Sequence, residues 1–309
     1  MTVYLLFIDG VGLGEKASYN PWYTEPTPGI HNILGSPLVR EAAGRVSTEV
    51  LLLSTDACLG VEGLPQSATG QATIFTGRNA PQAMGEHQSG LPFRRLREWV
   101  QRENLYLRAA VLGWRATFAN AYTEEYFHLP KTKRGWVSVS TAAIQSSGQP
   151  LRMLDDLLEG NAVYHDLTRW TLAKRRPEVE VIRPEKAAQD LLNIGVKQDL
   201  VVHEFFLSDL AGHRQDRELI AKVIQDYDRF LKEVIQRIGS EDTVVLVSDH
   251  GNSEDFRFRT HTAAPVPTLV MGRSVEKAIQ FTSSRETWDL TGITPLLLHL
   301  LSDVGKTKG

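Results

Sequence analysis

Three acidic residues each follow a short apolar run by one or two positions. The runs are Val3–Ile8, residues 200–207 and Thr243–Val247, and the acids are Asp9, Asp209 and Asp249. Three histidines lie close to them in the sequence or in a later loop: His213, His250 and His261. Because ligands of open α/β sheets bind outside the carboxyl ends of the strands, we expect these side chains to meet at one edge of a sheet.

Carboxylates that meet at a buried edge repel one another and require compensating positive charge. Divalent metal ions supply that charge. A ligand set of carboxylates and imidazoles suits Zn, Mn or a similar ion and is poor for a metal that prefers thiolates. Six such side chains and a nucleophile oxygen are too many for one tetrahedral ion, so we predict two divalent ions, with Mn or Zn expected.

A candidate nucleophile, Ser67, precedes a segment that reads as a short helix ended by Gly77. The first turn of a helix offers free backbone N–H groups and the positive end of the helix dipole, where a phosphoryl group is readily held. A serine oxygen beside a metal ion also loses its proton more readily. The sequence therefore predicts attack by Ser67 on a phosphate ester.

The elements that must position these residues alternate along the chain. Residues 217–238 have apolar side chains at helical spacing, residues 265–271 resemble a further strand, and residues 294–301 a terminal helix. This alternation predicts a doubly wound, mostly parallel α/β sheet between helices. Residues 127–187 are polar and predict a small inserted cap, which leaves 1–126 and 188–309 as the metal-binding core.

Bulk composition excludes several other classes. The 309 residues have a formal net charge of -3, which gives no reason to expect nucleic-acid or membrane-surface binding. The single cysteine, Cys58, cannot form an intramolecular disulfide and fits a reducing compartment. With neither a signal peptide nor an apolar span of membrane length, we expect a cytoplasmic protein. Its expected partner is a small phosphorylated substrate, and the oligomeric state is not predicted.

The order of these motifs resembles that of the alkaline phosphatase superfamily. The likeness is strongest to the metalloenzyme branch that contains cofactor-independent phosphoglycerate mutase and phosphopentomutase. It covers roughly residues 1–85 and 195–300. The motifs that carry it are Asp9-Gly10, the Ser67 segment that ends in Gly77-Arg78, Asp209 with His213, Ser248-Asp249-His250-Gly251-Asn252, and Thr260-His261-Thr262.

The resemblance implies two metal sites. Asp209, His213 and His261 would bind one ion, and Asp9, Asp249 and His250 the other, with Ser67 beside or bridging them. Thr69 is the competing position for the nucleophile. The chain departs from the mutase pattern at Gln71, where the mutases have a histidine, and in the smaller size of its middle segment. These departures count against phosphoglycerate mutase activity and leave the metal ligands unchanged.

Three residues are candidate substrate contacts: Arg78, Asn20 and Thr69. Arg78 either steadies a helix end or binds phosphate, and Asn20 either forms a turn with Pro21 or contacts substrate. The predicted function is a phosphatase or phosphodiesterase that works through a phosphoserine. The alternatives are a phosphomutase, which returns the phosphoryl group to its substrate, and a catalytically inactive metal-binding protein.

Overall fold

The computed structural model describes residues 1–128 and 137–302 and contains one sheet of seven strands. The strands are β1 Val3–Ile8, β2 Gly44–Arg45, β3 Val50–Thr55, β4 Ala116–Phe118, β5 Leu200–Phe205, β6 Thr243–Val247 and β7 Val266–Gly272. Their order is β2-β3-β7-β6-β1-β5-β4. Strands β6, β1, β5 and β4 are parallel to their neighbours within this group, whereas β7 runs antiparallel to both β6 and β3.

Helices cover both faces of the sheet. They are α1 Pro21–Thr24, α2 Pro28–Leu34, α3 Ser67–Thr76, α4 Ala80–Met84, α5 Arg94–Arg102, α6 Leu105–Val111, α7 Glu124–Phe127, α8 Val139–Ser146, α9 Leu154–Leu158, α10 Trp170–Ala173, α11 Pro184–Gly195, α12 Leu207–Arg214, α13 Arg217–Arg237, α14 Val275–Ser283 and α15 Ile293–Leu301. The predicted doubly wound, mostly parallel fold is therefore confirmed.

The alternation of side chains along the central strands divides the apolar core in two. Val3, Leu5 and Phe7 of β1 face one cluster, together with α3, α5, α8 and α15. Tyr4, Leu6 and Ile8 face the other, together with α11 and α13. Because strands β1, β5 and β6 are buried along their whole length, their sequences are mostly apolar rather than alternating, with His203 and Glu204 of β5 as buried polar exceptions.

The predicted elements are present with small shifts in their ends. The strand expected over residues 200–207 ends at Phe205, and α12 begins at Leu207. Asp209 thus lies in the first turn of a helix rather than at the tip of a strand. Strands β3 and β4 were not predicted: β4 has only three residues, and β3 pairs antiparallel and has partly exposed residues.

The middle segment contributes to two different parts of the molecule. Helix α8 packs with Val139 and Ile144 in the main core beside α3 and α5. Further along, Leu157, Leu172 and Val179 belong to a separate small apolar cluster. Residues 129–136 of the predicted insertion lie outside the described residues, and the division into core and cap remains a prediction.

Among the described residues, no helix combines the length and the apolar character that a membrane crossing requires.

Candidate metal centre

The acidic residues predicted from the sequence meet at the carboxyl edge of the sheet. Asp9 directly follows β1, and Asp249 lies two residues beyond β6, the strand beside β1. Asp209 enters from α12, which follows the other neighbour, β5. Gly10 has φ +68°, and a Cβ atom there would lie 2.7 Å from the Asp209 side chain. Only glycine lets the β1 loop approach Asp209 so closely.

One group of ligand candidates is almost completely buried, and we call it the closed half: Asp9, Asp249 and His250. The Nε2 atom of His250 lies 3.2 Å from Asp9 Oδ1 and 3.6 Å from Asp249 Oδ2. The side chains of His250 and Asp249 are completely buried, and that of Asp9 is 10% exposed. These ligand atoms lie within 4.8 Å of one another, which is close enough to share one ion.

The second group, which we call the open half, reaches the surface: Asp209, His213 and His261. The Nε2 atom of His213 lies 3.1 Å from His261 Nε2 and 3.3 Å from Asp209 Oδ2. His213 is four residues after Asp209 on α12, so both project from the same helix face. The imidazole of His261 also stacks on that of His250 with centroids 3.7 Å apart, which makes the two halves one continuous cluster.

Ser67 lies beside the closed half at the beginning of α3. Its Oγ is 3.0 Å from His250 Nε2. Gly70, one turn later, packs directly on Asp249, because a Cβ at residue 70 would lie 2.9 Å from that residue. The ten-residue helix α3 therefore has its N-terminus, with its free amide groups and positive dipole end, at the cluster.

Backbone carbonyls orient all three imidazoles. The Nδ1 atoms of His213, His250 and His261 lie 2.6 Å, 3.3 Å and 2.8 Å from the carbonyl oxygens of Arg259, Gly251 and Pro65. A carbonyl oxygen can only accept, so Nδ1 carries the proton in each ring. In the neutral ring Nε2 then keeps its lone pair, and that atom is the one that points into the cluster.

The surroundings shift the carboxyl pKa values of the two halves in opposite directions. Burial, followed by the negative charges of Asp249 and Asp209, raises the pKa of Asp9 well above its usual range. Burial and the charge of Asp209 likewise raise the pKa of Asp249. Burial would also raise the pKa of Asp209, but its neighbours His213 and His250 lower it to about 2.

The residues of the cluster fit divalent ions. Within the described part of the chain, Asp9 Oδ1 and Asp249 Oδ2 are buried oxygens without a hydrogen-bond partner. Buried polar atoms are normally paired, and two carboxylates in contact with one imidazole leave net negative charge without compensation. Oxygen and imidazole nitrogen donors at this spacing suit a hard or borderline divalent cation.

Several polar residues that support the cluster were not predicted from the sequence. Asn252 donates its Nδ2 hydrogen to Asp209 Oδ1 over 2.7 Å. The buried carboxylate of Glu254 accepts from the backbone N–H of Gly12 and of Asn252, and from the hydroxyl of Thr262. Glu254 thus joins the β1 loop to the loop that carries His261. The polar run 248–254 was the available signal, but its pairings depend on how three loops meet.

The structure gives the three candidate substrate contacts other partners. Arg78 lies beyond the far end of α3, about 15 Å from Ser67 along the helix, and pairs with Glu103 over 2.9 Å. The Asn20 side chain is buried, caps α1 and donates to the Glu15 carbonyl. The buried Thr69 hydroxyl accepts from Gln88 N–H and lies 3.3 Å from Gln66 O. The three substrate contacts remain predictions.

The fold of the chain is alkaline phosphatase-like, and part of its sequence matches a metalloenzyme family. Residues 172–302 match the family model described as the metalloenzyme superfamily. The fold of the whole chain is similar to that of the alkaline phosphatase from the Antarctic bacterium TAB5, with a TM-score of 0.56 and 13% identity over 97% of each chain. The resemblance predicted from the sequence is therefore confirmed: the chain has an alkaline phosphatase-like fold, and residues 172–302 match the metalloenzyme superfamily.

Two curated relatives share shorter stretches. Over 134 residues the chain is 33% identical to a 2,3-bisphosphoglycerate-independent phosphoglycerate mutase of Staphylococcus aureus, a match that covers 41% of this chain and 25% of that protein. Over 89 residues it is 24% identical to a phosphopentomutase of Alkaliphilus metalliredigens, which covers 29% of this chain and 23% of that protein. The matches thus span about a quarter of the length of either relative.

Proposed function

We propose that this protein hydrolyses phosphate esters with two divalent ions and Ser67 as the nucleophile. The observation that carries the proposal is the position of the Ser67 hydroxyl, 3.0 Å from the Nε2 atom that both buried carboxylates face. A serine at a helix N-terminus beside a carboxylate and imidazole cluster has the components of phosphoryl transfer: a nucleophile, an anion-binding helix end and a cation site.

Seven side chains would hold the two ions: Asp9, Asp249 and His250 in the closed half, Asp209, His213 and His261 in the open half, and Ser67 between them. When bound, divalent ions neutralise the carboxylates and stabilise the negative charge on the phosphate oxygens. Mn and Zn are the ions that this donor set favours.

The reaction proceeds in two displacements. The Ser67 oxygen forms a bond to phosphorus while the bond from phosphorus to the alcohol oxygen breaks, and the alcohol leaves with a proton. The amide groups at the N-terminus of α3 hold the phosphoryl group on Ser67. Water then forms the new bond to phosphorus, the bond to Ser67 breaks, and phosphate leaves while the serine recovers its proton.

A phosphomutase is the second candidate, because the two curated relatives are named as mutases. A mutase must exclude water while the phosphoserine waits for its second hydroxyl, which requires a closing cap. Part of the middle segment, helix α8, packs instead into the main core. This packing leaves less of the segment for a cap and favours hydrolysis.

The test is turnover of p-nitrophenyl phosphate and bis-p-nitrophenyl phosphate by protein that is first stripped with a chelator and then given Mn or Zn. We expect activity that returns with the ion, and its loss by roughly a thousandfold or more in Ser67→Ala. Ser36→Ala, at a half-buried bend after α2, is the matched control and keeps full activity. Mass spectrometry of acid-quenched protein should find the phosphoryl group on Ser67 rather than on Thr69.

Other results would select an alternative. Isomerisation of a sugar phosphate without turnover of either aryl ester would identify a mutase. A protein that binds no divalent ion in elemental analysis or calorimetry would support the inactive alternative. Activity that survives in Ser67→Ala would show that the nucleophile is assigned wrongly.

A further inference from the structure

A buried carboxylate, that of Glu254, lies where three loops of the metal centre meet. The residue is only 2% exposed. One oxygen, Oε2, accepts hydrogen bonds from the backbone N–H of Gly12 over 2.9 Å and of Asn252 over 2.7 Å. The other oxygen, Oε1, accepts from the Thr262 hydroxyl. Both oxygens are thus engaged by donors of the protein, and Glu254 belongs to neither half of the metal centre.

Two of these donors are close in sequence to a ligand candidate. Gly12 lies three residues after Asp9, in the loop that follows β1. Thr262 directly follows His261. The Glu254 carboxylate therefore bonds both to a loop that carries a ligand of the closed half and to the loop that carries a ligand of the open half.

The third donor, Asn252, extends the link to a further ligand. It lies two residues after His250 of the closed half, and its side chain donates to Asp209 Oδ1 of the open half over 2.7 Å. A Cβ atom at Gly212 would lie 2.3 Å from Asn252 Oδ1, so the amide is packed directly against α12. Because Glu254 holds the backbone N–H of the same residue, it also fixes the group that orients Asp209.

The backbone closes tightly around this carboxylate. The Gly251 carbonyl accepts from the Thr262 N–H over 2.9 Å and lies 3.3 Å from His250 Nδ1, so the loops of the two halves bond directly to each other. A Cβ atom at Gly251 would lie 2.5 Å from Glu254 Oε1, and one at Gly12 would lie 2.5 Å from the carboxyl carbon. Glycine at both positions lets the two loops approach the carboxylate so closely.

We propose that Glu254 is a positioning residue that holds the ligands of both halves at the spacing that two ions require. The inference rests on the proposed function, because it concerns the ions of the same site. Without this carboxylate the loops would have to be ordered when an ion binds, and the lost entropy would weaken binding. Residues that support metal ligands through hydrogen bonds typically contribute about 10–100-fold to metal affinity. Glu254 supports both halves, so both ions should bind more weakly when it is changed.

The test separates the length of the side chain from its charge. Glu254→Gln keeps the length: its carbonyl oxygen accepts from the two N–H groups, and its amide donates to the Thr262 oxygen, because a hydroxyl also accepts. Glu254→Asp keeps the charge but is a methylene shorter and does not reach all three donors. Calorimetric titration of chelator-stripped protein with Zn measures both affinities. We expect both to fall by about 10–100-fold in Glu254→Asp and to stay within about threefold of the wild type in Glu254→Gln.

Two further variants complete the comparison. Thr262→Val removes the hydroxyl that links Glu254 to the His261 loop, so it should weaken only the ion of the open half, by about tenfold. Glu241→Asp is the matched control: the Glu241 side chain is 69% exposed and precedes β6, at the opposite edge of the sheet, so both affinities should stay unchanged. Urea unfolding in chelator shows whether each variant is folded, and Thr262→Val decides the inference if Glu254→Asp is not.

A measurement on metal-free protein makes the result independent of ion binding. In NMR spectra of chelated protein with isotope-labelled histidine, the His261 ring of the wild type should be in the Nδ1–H tautomer that its bond to the Pro65 carbonyl selects. Glu254→Gln should keep this tautomer, whereas Glu254→Asp should change the ring to a mixture of both.

Unchanged affinities or an unchanged His261 tautomer in Glu254→Asp would overturn the inference. Weaker binding by Glu254→Gln than by Glu254→Asp would also overturn it, because the charge rather than the position of Glu254 would then matter. A wild type that binds no Zn would contradict the proposed function, and the His261 tautomer would then decide the inference alone.

Discussion

The closed and open halves of the metal centre contain the same types of residue in opposite environments. In the closed half, the His250 and Asp249 side chains are completely buried, and two carboxylate oxygens have no hydrogen-bond partner in the described chain. In the open half, the His213 side chain is 43% exposed, and Asp209 accepts hydrogen bonds from Asn252. Two sets of ligand candidates that look equivalent in the sequence thus differ in their access to solvent.

The difference indicates which half depends on an ion. Asp9 and Asp249 have raised pKa values because burial and mutual repulsion disfavour their charged forms. The neighbouring histidines lower the pKa of Asp209 to about 2, so this carboxylate stays charged without an ion. We therefore expect the closed half to bind an ion tightly and to be strained without it. The open half should bind more weakly, exchange with solvent and face the substrate.

The largest expected effect comes from Asp249→Asn, which should stabilise the metal-free protein and destabilise the metal-loaded protein. With a chelator at pH 8, the variant should be more stable than the wild type by about 1–3 kcal/mol, because it removes a buried, unpaired charge. With metal present, it should lose about 4 kcal/mol of ion binding, or roughly a thousandfold in affinity. Urea unfolding with and without the ion measures both.

The pH dependence provides the control for Asp249→Asn. Because the pKa of Asp249 is raised in the folded protein, its destabilising charge is absent at low pH and appears as the pH increases. The chelated variant and wild type should therefore converge in stability near pH 4. A variant that is less stable than the wild type at pH 8 in chelator would contradict the interpretation of the closed half.

His213→Ala tests the open half. We expect a loss of metal affinity of about 10–100-fold at one site, since the remaining ligands still hold an ion. The stability of the chelated protein should change by less than about 0.5 kcal/mol, because the side chain is half exposed. Calorimetric titration with Zn should resolve two affinities in the wild type and weaken only the lower one in the variant.

The exposed His31 supplies a matched control, and His31→Ala should leave both affinities unchanged. If His213→Ala instead abolished the tight site, the two halves would not be separable.

Glu204 isolates the effect of burial on a carboxyl pKa, because it is a buried carboxyl outside the metal-ligand cluster. It lies on β5 and accepts from the Ser140 hydroxyl over 2.6 Å. Burial raises its pKa from 4.5 to about 7, which the Ser140 bond only partly offsets. The protonated carboxyl therefore contributes its full stability below pH 4.5, and this contribution is lost as the pH rises through 7. Glu204→Gln should therefore have the same free energy of unfolding as the wild type near pH 5. At pH 9 its free energy of unfolding should be higher by an amount on the order of 3 kcal/mol.

Urea unfolding in chelator measures the free energy of unfolding of Glu204→Gln and of the wild type. Because the metal ligands titrate in both proteins, their contribution cancels in the difference. Ser140→Ala is the companion variant: without its hydroxyl, the pKa of Glu204 should rise further. Equal stability of Glu204→Gln and wild type at pH 9 would mean that burial alone does not raise carboxyl pKa values at this edge of the sheet.

The sequence was sufficient to predict the central strands and the ligand candidates, because both depend on local pattern. Strands buried on both faces require apolar runs, and ligands at the carboxyl edge must follow those runs directly. Asp9 and Asp249 satisfy this rule. His213 was a candidate because it follows Asp209 by four residues, and the structure places both residues on α12.

The supporting residues could not be predicted in the same way. The pairing of Asn252 with Asp209 and the three bonds of Glu254 depend on the packing of loops that are distant in sequence. The contact between the His165 imidazole and the Phe206 ring likewise joins residues 41 positions apart. Arg78 illustrates the opposite case, because it is close to Ser67 in sequence while a helix of ten residues separates them in space.

The smallest expected effect therefore belongs to Arg78→Ala. Its partner Glu103 and Arg78 itself have side chains that are 31% and 60% exposed, and such pairs contribute less than about 1 kcal/mol. Because Arg78 lies beyond the far end of α3, removing it should leave kcat/KM for p-nitrophenyl phosphate within about twofold of the wild type. Glu103→Ala should destabilise the protein to the same small extent. A tenfold loss of kcat/KM in Arg78→Ala but not in Glu103→Ala would show that Arg78 contacts the phosphate. The site would then include a substrate contact that belongs to neither the closed nor the open half.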